Sequence, residues 1–184
     1  MTMVLRSTVR GLTLLEVIIA CAIFSIAVLA CIGVLVSVTD SYDTGVRITH
    51  ISENARFGID RIAEDLRAGE GATVVVGPWQ VDHGDRVLFN KMVGYMGDTP
   101  TYRSLEYRLE TSTVDADRDK TADDYRLVLI DNGVPTTLCH YVAEGGLTIT
   151  RTGDQLYLRL TTKVGMPDGD PVLRFVETTV TLRN

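Results

Sequence analysis

Two groups of carboxylates stand where their type and spacing could do chemistry. The first is a single residue, Glu16, in the stretch Gly11-Leu12-Thr13-Leu14-Leu15-Glu16 at the head of a hydrophobic run. A carboxylate placed in a bilayer costs about 2.5–3.5 kcal/mol even on lenient insertion scales, so it requires a positive partner. A chain N-terminus would supply one: its α-amino group has a reference pKa of about 8 and is mostly protonated at neutral pH.

The second group is Asp115, Asp117, Asp119 and Asp123, with Asp124 beside them. Carboxylates at loop positions 1, 3, 5 and 9 are how a hard cation such as calcium collects oxygen ligands. The match is partial. Lys120 stands at the sixth position, where such a loop needs Gly, and Arg126 at the twelfth, where it needs a bidentate Glu. The segment reads first as a solvated acidic loop, with calcium bound by Asp115, Asp117, Asp119 and Asp123 as its alternative. No other cofactor is expected.

Other reactive residue types are scattered. His50, His83 and His140 lack metal-ligand spacing. Cys21 and Cys31 lie in the apolar run as small packing residues, and Cys139 is alone in the polar part, so no disulfide is expected there. There is no nucleophile elbow, zinc-protease pattern or phosphate loop, and Gly69-x-Gly71 follows no strand. A noncatalytic protein is expected. Trp79, beside Pro78, is expected in the core.

The elements that must position these residues follow from hydropathy. The 184 residues carry a net charge of −6, and loss of Arg6 and Arg10 would make it two units more negative. Such a surface, without a Lys/Arg run, argues against nonspecific nucleic-acid binding. Val17 to Val38 contains no charge; as a helix it would extend about 33 Å, enough to cross a bilayer. Arg6 and Arg10 before it, and Asp40 and Asp43 after it, place the N-terminus in the cytoplasm and the remainder outside. A secretory signal would end sooner, and a lipoprotein signal using Ile18-Ile19-Ala20-Cys21 would have to carry Glu16 in its apolar region.

Beyond Asp40, Ile51, Ala55, Ile59, Ile62 and Leu66 keep helical spacing, with Glu53, Asn54, Asp60, Arg61, Glu64 and Asp65 off that stripe. Gly45 and Gly58 are weak points, and Ala68-Gly69-Glu70-Gly71 should end the helix. After Gly71 the pattern turns to strands. Candidates are Ala72–Val76, Arg86–Phe89, Leu105–Leu109, Tyr125–Asp131, Thr136–Val142, Leu147–Arg151, Leu156–Leu160 and Val176–Leu182. Turns are expected at Asp131-Asn132-Gly133, Glu144-Gly145-Gly146 and Pro167-Asp168-Gly169. The alternation predicts an antiparallel sheet against the polar half of the helix, an α+β fold.

Gly11-Leu12-Thr13-Leu14-Leu15-Glu16, with its basic leader and apolar run, closely resembles the processing motif of type IV pilins and pseudopilins. The resemblance implies that a prepilin peptidase cuts between Gly11 and Leu12 and that Leu12 is then N-methylated. Glu16 would be the fifth residue of the mature chain, where the family has its glutamate. That glutamate meets the N-terminal amine of a neighbouring subunit. Leu12 replaces the family's usual Phe, and Gly33 stands where members often have a helix-breaking Pro.

Arg56–Arg67 and the tail Thr178–Asn184 more loosely resemble larger minor pilins, among them the J-type pseudopilin of type II secretion and the W-type minor pilin. The implied organisation is a cleaved leader, 1–11; a transmembrane and filament-core helix, 12–39; the extracytoplasmic half of that helix, 40–71; and a β-rich domain, 72–184. The implied partners are the prepilin peptidase/methyltransferase, other pilin or pseudopilin subunits and an inner-membrane assembly platform. The implied location is the cytoplasmic membrane, single-pass, and then a pilus or periplasmic pseudopilus. The rival reading is a membrane-anchored extracytoplasmic binding domain, lipidated at Cys21 and calcium-responsive.

Overall fold

The computed structural model describes residues 13–80, 83–113, 124–166 and 169–183. The chain forms two compact units, Met1–Thr44 and Gly45–Asn184. One long helix, α1, covers Leu14–Ala68 and so contributes to both.

In the first unit, α1 is apolar on every side and exposed from Val17 to Val38; its richest window has a mean hydropathy of 2.9. A helix hydrophobic all round belongs in a membrane or a packed core, and this one is long and apolar enough to cross a membrane. Its few hydroxyls suit such surroundings. Ser25 Oγ donates to the Cys21 carbonyl at 2.8 Å and Thr39 Oγ1 to the Leu35 carbonyl at 2.9 Å, so neither is left without a partner.

In the second unit, the expected stripe is the buried one: Ile51, Ala55, Ile59, Ile62 and Leu66 all face the core. Two residues read as off the stripe or as weak points also belong there. Gly58 is buried, and a Cβ at that position would meet Leu127 Cδ2 at 2.9 Å. The glycine lets the Leu127 side chain approach the helix closely. Asp65 is buried as well, at 1% exposure.

After α1, a short 3-10 turn, Gly71–Thr73, replaces the start of the expected first strand. Gly71 N donates to the Arg183 carbonyl at 3.0 Å, and a Cβ on Gly71 would stand 2.5 Å from that oxygen, so the chain turns here against its own tail. Seven strands follow: β1 (Val75–Gln80), β2 (Gly84–Met96), β3 (Thr99–Thr111), β4 (Tyr125–Asp131), β5 (Val134–Thr152), β6 (Gln155–Met166) and β7 (Gly169–Thr181). They pair antiparallel in sequence order, a meander without crossovers. Asn132 and Gly133, with φ of 49° and 83°, form the two-residue turn joining β4 to β5. Two positive φ values make this a turn whose twist matches that of the flanking strands.

Glu144-Gly145-Gly146 is not a hairpin turn. It lies inside β5 as a bulge, where the pairing passes from Val142↔Thr162 directly to Leu147↔Leu160. Glycine is required because a Cβ on Gly146 would sit 2.5 Å from the Thr161 carbonyl oxygen. A bulge bends and twists its strand, and the sheet curls accordingly. The start of β2 reaches β5, with Asp85 Oδ2 accepting from Ile149 N at 2.7 Å, and Arg151 Nη1 donates to the Val74 carbonyl at 2.9 Å. The expected turn at Pro167-Asp168-Gly169 falls partly outside the described residues.

The inner face of the curl carries Phe89, Tyr107, Leu109, Leu127, Leu147, Leu156, Leu158 and Leu160 against the α1 stripe. Trp79 is not among them, contrary to expectation. Val74, just before β1, and Val76 within it turn inward, so strand parity sends Trp79 outward. There its ring lies 4.7 Å from the Arg86 guanidinium and 4.3 Å from that of Arg108.

Candidate functional site

α1 begins at Leu14, and Thr13 is its N-cap. Glu16 Oε2 accepts from Thr13 N at 2.9 Å and from Thr13 Oγ1 at 3.0 Å, while Thr13 Oγ1 accepts from Glu16 N at 3.3 Å. This is a capping box, in which two otherwise unsatisfied donors at a helix start are paired reciprocally. The pattern Thr-x-x-Glu is legible at Thr13-Leu14-Leu15-Glu16 and identifies Thr13, which reasoning from the glutamate alone missed. Both side-chain bonds fall on Oε2, and Oε1 has no partner among the described residues. The Glu16 carboxylate is therefore oriented by its own helix through Oε2. Its position in the first turn also complements the positive end of the helix dipole.

Gly11 and Leu12 lie outside the described residues, as do Asp115, Asp117, Asp119 and Asp123. At the edges of that acidic segment, Ser112 N donates to the Asp124 carbonyl at 2.8 Å, so the two chain ends meet. Asp124 is buried at 1% exposure. Among the described residues, no group of three His, Cys, Asp or Glu side chains could hold a metal ion. The histidines are dispersed. His50 Nδ1 lies 3.2 Å from Asn54 Nδ2 on α1, His83 packs edge-on to Tyr125, and His140 lies in β5.

Cys21 and Cys31 are exposed on α1, whereas Cys139 is buried. Burial pushes the Cys139 thiol up to about 12, which keeps it protonated and chemically quiet.

A polar cluster in the second unit surrounds Asp65. Its Oδ1 accepts from Lys91 Nζ on β2 at 2.7 Å, and its Oδ2 faces Arg61 Nε at 3.2 Å and accepts from the Tyr107 hydroxyl on β3. Burial, reinforced by the Asp65 hydrogen bond, pushes the Tyr107 phenol well above its ordinary range, so it stays a donor. The cluster ties α1 to two strands. A row Gly58, Ile62, Asp65, Gly69 at alternating steps of four and three would have exposed Asp65 as an inward position.

A second ladder crosses the outer face of the sheet. Arg86 meets Glu106 at 3.4 Å, Arg108 meets Glu110 at 2.8 Å, and Arg126 meets Glu110 at 3.2 Å. Hydrogen bonding from Arg108, with the added charge of Arg126, holds the Glu110 carboxyl below the usual carboxylate range. The Arg86–Glu106 and Arg126–Glu110 pairs join neighbouring strands, and Arg108 meets Glu110 along β3.

Residues 6–32 match the family model described as the prokaryotic N-terminal methylation motif, a motif of the type IV pilin kind. The matched span contains the Thr13–Glu16 capping box and the apolar beginning of α1. No curated protein and no solved structure matches the chain.

Proposed function

We propose that this chain is a minor pilin or pseudopilin, a noncatalytic subunit that enters a type IV pilus or type II secretion pseudopilus through its N-terminal helix. The observation that carries the reading is the coincidence of the methylation motif with a capped, continuous apolar helix whose only early carboxylate is Glu16. Prepilin peptidase cuts between Gly11 and Leu12 on the cytoplasmic side, and the new amine of Leu12 is methylated. The apolar part of α1 holds the subunit in the cytoplasmic membrane with Gly45–Asn184 outside.

On assembly, helices from several subunits pack together and Glu16 accepts from the Leu12 amine of a neighbour. Oε1 is the atom suited to that bond, since Oε2 is already used by Thr13. In an apolar core the pairing offsets the cost of burying either charge alone. It also selects register, because only one axial offset brings an amine to a carboxylate. The long curled sheet and the resemblance of Arg56–Arg67 to J-type and W-type subunits favour a low-copy position at the tip or at initiation.

The test is the intact mass of the membrane-extracted protein. The expected species lacks residues 1–11 and carries one added methyl group. A species lacking residues 1–20 with a lipid on Cys21 would instead identify an anchored lipoprotein and end the pilin reading.

A further inference from the structure

We infer that residues 39–50 of α1 are a built-in extensible link, a stretch that unwinds and rewinds while the helix on either side of it stays folded. The inference rests on the apolar run being a membrane helix, as the subunit reading has it, and does not depend on Glu16.

α1 is held in different ways along its length. The run from Val17 to Val38 carries no charge and suits lipid. Eight residues between Ile51 and Leu66 are buried. Between the two, none of residues 39–50 is buried. A helix of 12 residues without a packing partner is marginal in water even when rich in alanine. The folded flanks nucleate this one, but only its own main chain holds it, and its composition is poor. Residues 39–46 read Thr-Asp-Ser-Tyr-Asp-Thr-Gly-Val, with no Ala, Leu, Arg, Met, Lys, Gln or Glu, whereas residues 51–68 contain nine of these helix formers. Four hydroxyls compete for main-chain acceptors. Thr39 Oγ1 donates to the Leu35 carbonyl at 2.9 Å, Ser41 Oγ to Ser37 at 2.8 Å, Thr44 Oγ1 to Asp40 at 2.9 Å and Thr49 Oγ1 to Gly45 at 2.9 Å. Such back-bonding bends and slightly weakens a helix. Gly45 has no packing reason to be glycine, since nothing stands within 4 Å of a Cβ there. Asp40 and Asp43 repel across one turn, which offsets the favourable spacing of Asp43 and Arg47. The division between the two compact units also falls inside this stretch, after Thr44.

Solvation fixes the place. Unwinding residues 17–38 would leave main-chain N–H and C=O groups without partners in lipid. Unwinding residues 51–68 would pull Ile59, Ile62 and Leu66 out of the core. Between Val17 and Ala68, only residues 39–50 exchange helical hydrogen bonds for bonds to water with little loss of packing, the property of a low-stability segment. As helix the stretch is about 18 Å long, and fully extended it reaches about 40 Å. A pull along α1 is therefore taken up here, by up to about 20 Å, before the buried stripe or the sheet gives way. The link stands in series with the membrane anchor and absorbs strain that would otherwise fall on the folded domain.

The experiment uses the full chain in lipid nanodiscs, with Cys21→Ala and Cys31→Ala, and spin labels on Ser37→Cys and Glu53→Cys. The labels stand 16 residues apart, which an unbroken helix turns into one narrow separation of about 24 Å. The expected result is a second, broader population at longer distance. Amide exchange in residues 43–50 should be faster than in residues 51–66 by about tenfold or more. Combining Thr39→Ala, Ser41→Ala, Thr44→Ala and Gly45→Ala should shrink the longer population by about tenfold or more and leave exchange in the sheet unchanged. A single narrow separation in the parent chain, exchange in residues 43–50 as slow as in residues 51–66, or no response to the four alanines would overturn the inference. A rigid helix in a chain that has lost its leader and gained a methyl group would reject this inference alone. Unwinding in a chain that keeps residues 1–11 would leave the link standing and reject only the pilin reading.

Discussion

Lys91 Nζ on β2 meets Asp65 Oδ1 on α1 at 2.7 Å, and the carboxylate it meets is 1% exposed. The pair closes the far end of the helix onto the sheet, one turn before α1 stops at Ala68. Removing one member of a buried ion pair typically costs about 3–5 kcal/mol. Lys91 and Arg61 keep part of their hydration, with side chains 28% and 43% exposed. Asp65→Ala should therefore fall near the low end, about 3 kcal/mol. Tyr107→Phe, which removes one donor to the carboxylate, should cost about 1.5 kcal/mol. Urea unfolding of the chain in detergent checks both, and a loss below measurement error for Asp65→Ala would remove the cluster from the account of stability.

Glu110 gives a pH dependence of known sign. Its folded-state carboxyl titrates below the ordinary range because Arg108 and Arg126 favour the ionised form. A depressed folded value contributes stability above the unfolded value and loses it as pH falls through the folded one. The stability gap between the parent chain and Glu110→Gln should thus be largest near neutrality and shrink once pH drops below the ordinary carboxylate range. A gap that is constant or grows in acid would contradict the ladder.

The helical glycines should respond in opposite ways. Nothing stands within 4 Å of a Cβ at Gly45, so Gly45→Ala should stabilise α1 by about 0.5–1 kcal/mol. At Gly58 a Cβ meets the flexible end of Leu127 at 2.9 Å and Cys139 Cβ at 3.6 Å. Gly58→Ala should be near neutral, with the helix gain offset by displacement of Leu127. Gly58→Leu should destabilise by about 2–3 kcal/mol through overpacking. Thermal melting of the variants reads all three.

Glu16→Leu removes a polar cost from the apolar run and should insert into membranes as well as the parent chain. It should nevertheless enter filaments poorly, because the neighbouring amine has lost its acceptor. Thr13→Val keeps the carboxylate but removes the cap, costing about 1 kcal/mol at the helix start, and should reduce assembly less. Fractionating membranes from sheared filaments measures both, and full incorporation of Glu16→Leu would refute the pairing role.

Calcium titrated into the chain by calorimetry should produce no heat and leave the melting temperature unchanged, as a solvated acidic loop requires. Saturable heat abolished by Asp117→Asn with Asp119→Asn would assign the segment to a calcium site instead.

The sequence by itself determined the elements whose signal is local. The apolar run, the Ile51–Leu66 stripe, the stop at Ala68 and the alternation of Leu105, Tyr107 and Leu109 are patterns of period set by backbone geometry, and the fold keeps them. The motif around Gly11 and Glu16 is equally local, because it is a linear segment defined by residue order and spacing.

What only the tertiary structure decided depends on partners distant in sequence. Glu144-Gly145-Gly146 has the composition of a turn, but whether glycines end a strand or bulge within it depends on how β6 lies alongside. Trp79 is hydrophobic enough for a core, yet the parity of β1 and the arginines of β2 and β3 place it outside. Asp65 looks like a surface residue until Lys91 and Tyr107 are brought to it across the chain. A charge is buried only where its compensation has been folded into place, and that compensation is not written beside it.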